Sequence, residues 1–368
     1  VTEVPNYPIG ERYEGYEQGS SFTEEVTENI TVHRIWVWIT KRRDIREQLS
    51  LFISFMFSSF FYVLKLGRRY DVVYCTSPPL FAGISALLLS KILGAKFVFE
   101  VRDLWPDSAR DSFRSEKSLV YKLGLWLEKV IYRGADLVVP VTKIAAKIIR
   151  EKSPDTPVKV IYNGVDTELF KPINKELIRI DEKLDESKFI IGYVGSLGLI
   201  HDLETLIKTA KLCESDSDIH FLLVGDGGRN NLLRTMLEEL EPNNVTWVGL
   251  KPYKKVPHYI SLFDLAVNPM KKKPIFDSVI TVKFYEYLSC GVPVISSDLQ
   301  SISKVTGKSK SGVIVEPHNA EAMADAIFKL KADKKKVDEL SKNARSFIQN
   351  KFDRNKLAQK VINELNEL

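Results

Sequence analysis

"TVKFYEYLSCGVPVISS" (Thr281–Ser297) reads as a helix that runs straight into a buried strand. Val292–Ser297 is short, apolar and bounded, as an interior strand is. Gly291 suits the helix C-terminus and Thr281 the N-cap. Lys283 is out of place, because the helix dipole disfavours a cation in the first turn. Two explanations stay open on these residues alone. Lys283 and Glu286 form a local pair three positions apart, or an anion occupies this helix end.

The same helix-and-strand grammar extends in both directions. "ITVHRIWVW" (30–38), "DVVYC" (71–75), "AKFVFEV" (95–101), "ADLVVPV" (135–141) and "VKVIYN" (158–163) form a first set of apolar runs. "FIIGYVGS" (189–196), "IHFLLVGD" (219–226), "NVTWVGL" (244–250), "LFDLAVNP" (262–269), "VPVISS" (292–297) and "GVIVE" (312–316) form a second. Stretches of helical spacing separate most of them. Continuous Val/Ile-rich strands alternating with helices predict parallel sheets covered on both faces, here two doubly wound, Rossmann-like α/β domains. The polar stretch 163–188 reads as the linker, and 319–368 as helices only. Ligands of such folds bind outside the carboxyl ends of the strands, so the expected site is a cleft between two facing sheets.

Composition narrows the class. The 368 residues are 44% hydrophobic, enough for two or three domains with real cores. A net charge of +5 from 53 basic and 48 acidic residues argues against a nucleic-acid binder and against a disordered chain. Cys75, Cys213 and Cys290 are scattered without metal-ligand spacing, as in a reducing cytoplasm. The start does not read as a signal peptide, and Val1 enters midway through a β-like run, so the natural start is expected upstream.

One segment departs from the pattern. "QLSLFISFMFSSFFYVL" (48–64) carries no charge and five phenylalanines, with basic residues on both flanks. It approaches the length of a membrane span, roughly 17–25 residues. Spanning a bilayer would sever the first domain, because the segment lies between two of its strands. Ser50, Ser54 and Ser58 share a helical face that allows close packing. Two readings compete: a sheet-covering helix buried on both faces, or a surface helix whose basic flanks meet anionic headgroups.

Candidate chemistry gathers on strand ends. "GYVGSLGLIHDLETLI" (192–207) ends a strand at Gly195-Ser196 and opens a helix near His201-Asp202, and "FLLVGDGG" (221–228) has the same shape through Gly225 and Asp226. Glycine lets a backbone approach a ligand, and helix N-termini offer N–H groups to phosphate. Each turn alone is ordinary. Together with Thr281–Glu286 they put three features on one sheet edge. "FEVRDLWPDS" (99–108) places Arg102, Asp103 and Asp107 at a strand's carboxyl end in the first domain. "DSD" (216–218) precedes its strand and reads as a solvated loop, unlike a metal-holding acidic pair. The five histidines show no zinc spacing.

"VIYNGVDTELFKP" (160–172), "IGYVGSLGLIHDLETLIKTAKL", "FLLVGDGG", "VTWVGLKPYKKVPHYISLFDLAVNP" and "KFYEYLSCGVPVISS" together resemble the family four glycosyltransferases of the GT-B fold. "TSPPLFAG" (76–83) and "FEVRDLWPDS" are similar to the branch that builds cell-surface polysaccharides on lipid carriers, such as the fucosaminyl transferases. The resemblance implies an acceptor-side domain over 1–170, a nucleotide-sugar donor domain over 171–345 and a C-terminal helix, 346–368, packing back towards the first domain. It implies a UDP- or GDP-sugar donor, a glycan or lipid-linked acceptor, retention of configuration, and neither metal nor cofactor. Glu286 would bond the donor ribose, Lys283 would meet the diphosphate, Gly195 and Ser196 would approach it, and Val248–Leu250 would lie against the base. Arg102 and Asp103 would face sugar or acceptor, with Asp103 as acceptor base.

Three departures from that family are visible. Ser278 stands where relatives often carry a further glutamate, and Ser196 and His201 replace a usual arginine and lysine. Less fixed positive charge then meets the leaving group, unless His201 is protonated or Lys271–Lys273 swing in. The family's first strand and glycine-rich loop, one βα unit of very roughly 20–30 residues, are expected before Val1. A non-catalytic GT-B scaffold subunit and a nucleotide-sugar epimerase remain the competing readings.

Overall fold

The computed structural model describes residues 1–6, 10–12, 14, 16, 22–41, 45–112, 118–175 and 187–368. Part of the expected linker, 176–186, and two flanking arginines, Arg42 and Arg43, fall outside them. The chain divides into two units, Val1–Ile161 with Asn363–Leu368, and Tyr162–Ile362.

The first unit holds two three-stranded sheets. In one, β3 (Ile30–Ile35) pairs in parallel with β1 (Thr2–Glu3) and antiparallel with β2 (Phe22–Thr27), Phe22 opposite Arg34. The strand β2 was not among the expected runs. It makes a hairpin through a short turn and breaks the strictly parallel expectation. The helix α1 (Ile45–Leu66) leads to the second sheet, where β4 (Val72–Ser77), β5 (Lys96–Val101) and β6 (Leu137–Pro140) are all parallel. Between them run α2 (Leu80–Leu93) and α3 (Leu119–Gly134), and α4 (Lys143–Lys152) follows.

The predicted strand 158–163 is not one. Val158 makes a single parallel bridge to Val138. Val138 N–H donates to Pro157 O (2.9 Å), Lys159 N–H to Val138 O (3.1 Å) and Ile161 N–H to Pro140 O (3.2 Å), so the segment only runs beside β6. Two prolines, Pro140 and Pro157, remove donors that a full ladder needs.

The second unit is one parallel sheet: β7 (Phe189–Val194), β8 (Ile219–Val224), β9 (Val245–Trp247), β10 (Leu265–Asn268), β11 (Val294–Ser297) and β12 (Gly312–Val315). Its spatial order is β12-β11-β10-β7-β8-β9. The strands read as unbroken apolar runs because both faces are buried. Ile190, Val194, Leu222, Val224 and Ala266 belong to the core on one face, and Ile191, Tyr193, Phe221, Leu223 and Val267 to the core on the other. The covering helices are α5 (Leu203–Leu212), α6 (Asn230–Leu240), α7 (Val256–Ser261), α8 (Val282–Ser289), α9 (Gln300–Ser309), α10 (Ala320–Ala332) and α11 (Lys334–Lys351), and α12 (Arg354–Asn366) follows them.

The order fixes where a ligand would sit. From β7 the chain winds outward through β8 and β9, then returns to the other side of β7 with β10. The loops after β7 and β10 therefore diverge at a topological switch point, where open α/β sheets bind ligands.

Candidate functional site

Three glycines mark the carboxyl ends of adjacent strands. Gly195 after β7, Gly225 after β8 and Gly249 after β9 have φ of 130°, 135° and 69°. Gly195 N–H donates to Val224 O and Gly225 N–H to Gly249 O, each at 2.9 Å. A Cβ on Gly225 would collide with the carbonyl oxygen of Gly195. The two glycine turns therefore lie back to back. The second braces the first: Leu197 N–H donates to Asp226 O, and Arg229 N–H to Leu197 O. The Asp226 carboxylate accepts from Gly227 N–H (2.6 Å) and from the Asn230 side chain, so it serves the start of α6. Leu250 follows Gly249 and is 54% exposed.

The loop after β7 is pinned to the loop after β10. His201 bridges Met270, Asp202 N–H donates to Pro269 O (3.1 Å) and Lys271 N–H to Ile200 O (3.0 Å). Asp202 caps α5 through Thr205 N–H and pairs with His318 at 2.6 Å. His201 is buried, its Nδ1 without a partner among the described residues, its ring edge-on to Tyr193 at 6.0 Å. Burial, and then the neighbouring Lys283, push its pKa well below the usual imidazole value. Its surroundings disfavour the charged form, which opposes the protonation under which His201 would add positive charge. Lys272 is likewise committed, to Asp277 at 2.8 Å and to Asp298 O at 3.0 Å.

Thr281 stands at the N-cap of α8 but makes no capping bond, and its buried Oγ1 has no partner among the described residues. Lys283, in the first turn, is buried too. Its Nζ has no hydrogen-bond partner among the described residues and lies 3.9 Å from the centre of the Tyr193 ring. A Cβ on Gly195 would stand 3.4 Å from that Nζ, so the ammonium abuts the first glycine turn. Burial drives its pKa well below the ordinary lysine value, and Glu286 opposes this only in part. No ion pair joins Lys283 to Glu286 among the described residues, which leaves the local-pair explanation without support. Glu286 is itself buried, and its pKa rises to about 7 through burial, against the opposing effects of the Tyr253 hydroxyl, Arg354 and Lys283.

One structural edge thus gathers Gly195, Ser196, His201, Gly225, Thr281 and Lys283, with Glu286 one helical turn on. Sequence reading missed Tyr193, whose ring faces Lys283, and Tyr253, whose hydroxyl donates to Glu286 Oε1 at 3.4 Å. Tyr193 carries a signal, standing two residues before the glycine. Arg354 lies far along the chain and carries none.

Residues 174–347 match the family described as glycosyl transferases group 1, and residues 17–169 match Glycosyltransferase Family 4. The crystal structure of Anabaena Alr3699/HepE in complex with UDP-glucose superposes with a TM-score of 0.71 at 19% identity, over 88% of this chain and 84% of that one. The chain has the GT-B fold, and each of its halves matches a glycosyltransferase family. A putative teichuronic acid biosynthesis glycosyltransferase, TuaH of Bacillus subtilis, is 31% identical over 224 residues, 60% of this chain. That match spans 54% of TuaH, about half of that relative's length. A putative colanic acid biosynthesis glycosyl transferase, WcaI of Escherichia coli K12, is 24% identical over 345 residues, covering 89% of this chain and 82% of WcaI.

In the first unit, Arg102 and Asp103 follow β5. Arg102 is exposed and its N–H donates to Ser77 O (3.0 Å). Burial raises the Asp103 pKa, with Arg102 acting against it. Asp107 is occupied elsewhere: its carboxylate accepts from Lys152 (2.8 Å) and from the Tyr121 hydroxyl (2.5 Å). Lys152 also reaches the buried Glu128 at 2.7 Å, so Asp107 belongs to a structural ion network. Asp216 and Asp218 both pair with Lys331, at 2.6 and 3.2 Å.

Proposed function

We propose that this chain moves a sugar from a nucleoside-diphosphate donor to a glycan or lipid-linked acceptor in cell-surface polysaccharide synthesis, in the branch resembling the fucosaminyl transferases. The observation that carries the reading is Lys283. A buried ammonium without a counterion costs several kcal/mol, and its pKa falls in response. A diphosphate at the N-terminus of α8 would return that proton and meet the first-turn N–H groups. The same charge and dipole would stabilise the leaving diphosphate as the sugar bond breaks, which supports transfer without a metal.

Glu286 would accept the ribose hydroxyls, and the exposed Leu250 would contact the base. A uracil base is favoured, since the similar HepE was crystallised with UDP-glucose. Configuration would be retained by a front-face route, in which the acceptor oxygen bonds to the anomeric carbon on the face from which the diphosphate leaves and its proton passes to a base. Asp103, with its raised pKa beside Arg102, is the proposed acceptor base. The chain would work in the cytoplasm at the membrane face, with 48–64 in contact with lipid.

Calorimetric titration of UDP and GDP, repeated with Lys283→Ala and Glu286→Ala, tests the donor site. Saturable binding of UDP, lost in both variants, is expected. A folded protein that binds neither nucleotide would remove the reading. With donor and acceptor identified, Asp103→Asn should lower kcat with little change in donor KM, and an unchanged kcat would exclude it as the base.

A further inference from the structure

Single exposed apolar side chains are ordinary, whereas aligned ones on neighbouring helices mark an interaction surface. In the first unit α2 packs against both α1 and α3, and because β4, β5 and β6 follow one another in one direction, right-handed crossovers put α2 and α3 on the same side of their sheet. The window of α1 that is long and apolar enough to cross a membrane is only 11% buried, so the reading in which both its faces are covered is corrected. Its inner face, Phe52, Phe55, Ser59 and Val63, lines a cavity shared with α2. The outer face presents Ile53, Phe57 and Phe61, spaced four apart, with Phe61 64% exposed.

The other two helices continue this surface. Leu88 and Ile92 are exposed on α2. On α3, Leu119, Leu123, Trp126 and Val130 follow each other at intervals of four, three and four residues, one helical stripe. Leu119 is 83% and Trp126 59% exposed. The inward side of α3 is Tyr121, Gly124, Glu128, Ile131 and Tyr132.

Charge of one sign borders the stripes. Lys122, Lys129 and Arg133 all lie along one flank of the α3 stripe, and all are exposed. Arg46 and Lys65 stand at the two ends of α1, Arg68 and Arg69 just past it, and Lys91 in the last turn of α2. The carboxylates nearby are Glu47, Asp71 and Glu128, the last buried against Lys152. We propose that the outer faces of α1, α2 and α3 together seat on an anionic lipid bilayer, with the apolar stripes at the acyl boundary and the cations among the headgroup phosphates. This rests on the membrane-side reading above and extends it from one helix to three, but it is independent of the donor site.

A bilayer fits better than a protein partner. Lysine is depleted at protein interfaces, whereas long cationic side chains beside apolar stripes snorkel to lipid headgroups. A bilayer-parallel pose also suits α1 better than crossing. Its Ser54 accepts from Trp38 N–H at 2.8 Å, its Tyr62 meets His33 at 3.1 Å and its Ser59 meets Ser85 of α2 at 3.1 Å.

The full chain is sedimented with vesicles of phosphatidylcholine alone and with vesicles that also contain phosphatidylglycerol. Binding to the anionic vesicles, weakened by salt, is expected. Trp126→Ser, Phe57→Ser with Phe61→Ser, and Lys122→Glu with Lys129→Glu should each reduce it about tenfold or more. UDP titration of every variant checks folding and reads the donor site separately, so either reading can fail alone. Absence of binding by the folded wild type overturns the proposal. Loss through the α1 variants with Trp126→Ser unaffected also overturns it, by restricting the contact to one helix. Lipid-free self-association that Trp126→Ser abolishes overturns it as well, and assigns the face to a second copy.

Discussion

In the second unit, Lys283 and Glu286 are enclosed by protein, and neither is ion-paired to the other. In the first unit, phenylalanine, leucine and tryptophan face water along three helices. One region hides charge and the other displays apolar surface. Each arrangement is unfavourable for the isolated chain, and a missing neighbour of the right chemistry would reverse each. The difference lies in what that neighbour must be. Enclosed charge beside glycine turns selects a small, polar, shaped ligand, whereas an open apolar face with cationic edges selects a surface. The stability consequences differ as well, because a buried charge acts on the fold and an exposed phenylalanine hardly does.

The largest expected effect tests the enclosed side. Lys283→Met keeps the volume and removes the charge. Truncating one partner of a buried charge pair costs about 2–5 kcal/mol, so UDP affinity should fall roughly 30-fold or more. The same substitution should stabilise the free protein, since a buried amine whose charged form is disfavoured is replaced by an apolar side chain. Calorimetry and urea unfolding check the two signs together. A variant that loses both affinity and stability would mean that Lys283 is a structural residue, and the contrast with the first unit would collapse.

Glu286 gives a pH-dependent version. Its folded pKa of about 7 exceeds the carboxylate value of 4.5, so the native state binds the extra proton between those limits. Stability is therefore lost as pH rises through that window, by at most roughly 3 kcal/mol. Glu286→Gln should be more stable than the parent at pH 8 and about equal near pH 4, in unfolding curves at the two values. Binding should run the other way, because only the carboxylate can accept from two hydroxyls. Affinity for UDP-glucose should show a rise through about pH 7 in the parent that Glu286→Gln lacks, in which only the pH dependence of Lys283 remains. The diester donor is the better probe, since a terminal phosphate titrates itself near a pKa of about 6.

Tyr253→Phe sharpens the same point at smaller scale. The hydroxyl at 3.4 Å is one of the groups that hold the Glu286 pKa down. Without it the binding transition should move to higher pH, and affinity at neutral pH should fall by less than about tenfold, as for one modest hydrogen bond. An unmoved transition would mean that Tyr253 does not position the carboxylate.

The contrast also explains what could be read in advance. The second unit's strands were legible because both faces of each are buried, which leaves unbroken apolar runs, and Lys283 was legible because it breaks a dipole preference in a first turn. The hairpin strand β2 was not, since "FTEEVT" is half polar and lacks that pattern. Nor was 158–163 correctly read, because two prolines cut its pairing. His201 was read as adding positive charge only if protonated, and protonation depends on burial, which spacing does not report. Arg354 reaches Glu286 only through tertiary packing. On the first unit, a run of phenylalanines announced an unusual helix, while the α3 stripe went unnoticed because its apolar residues look like core spacing until the solvent side is known.

The smallest expected effect tests the open side. If Phe57, Phe61 and Trp126 face water in the free protein, truncating them removes little packing. Exposed substitutions ordinarily change stability by no more than about 0.5 kcal/mol, against about 3–5 kcal/mol for a buried aromatic residue. Phe61→Ser and Trp126→Ser should therefore leave the urea midpoint almost unmoved and UDP affinity unchanged. A loss of several kcal/mol would place these rings in a core, and would end the comparison by making both regions conventional. A near-zero change makes them surplus to folding, so any function they have must be exercised on something outside the chain.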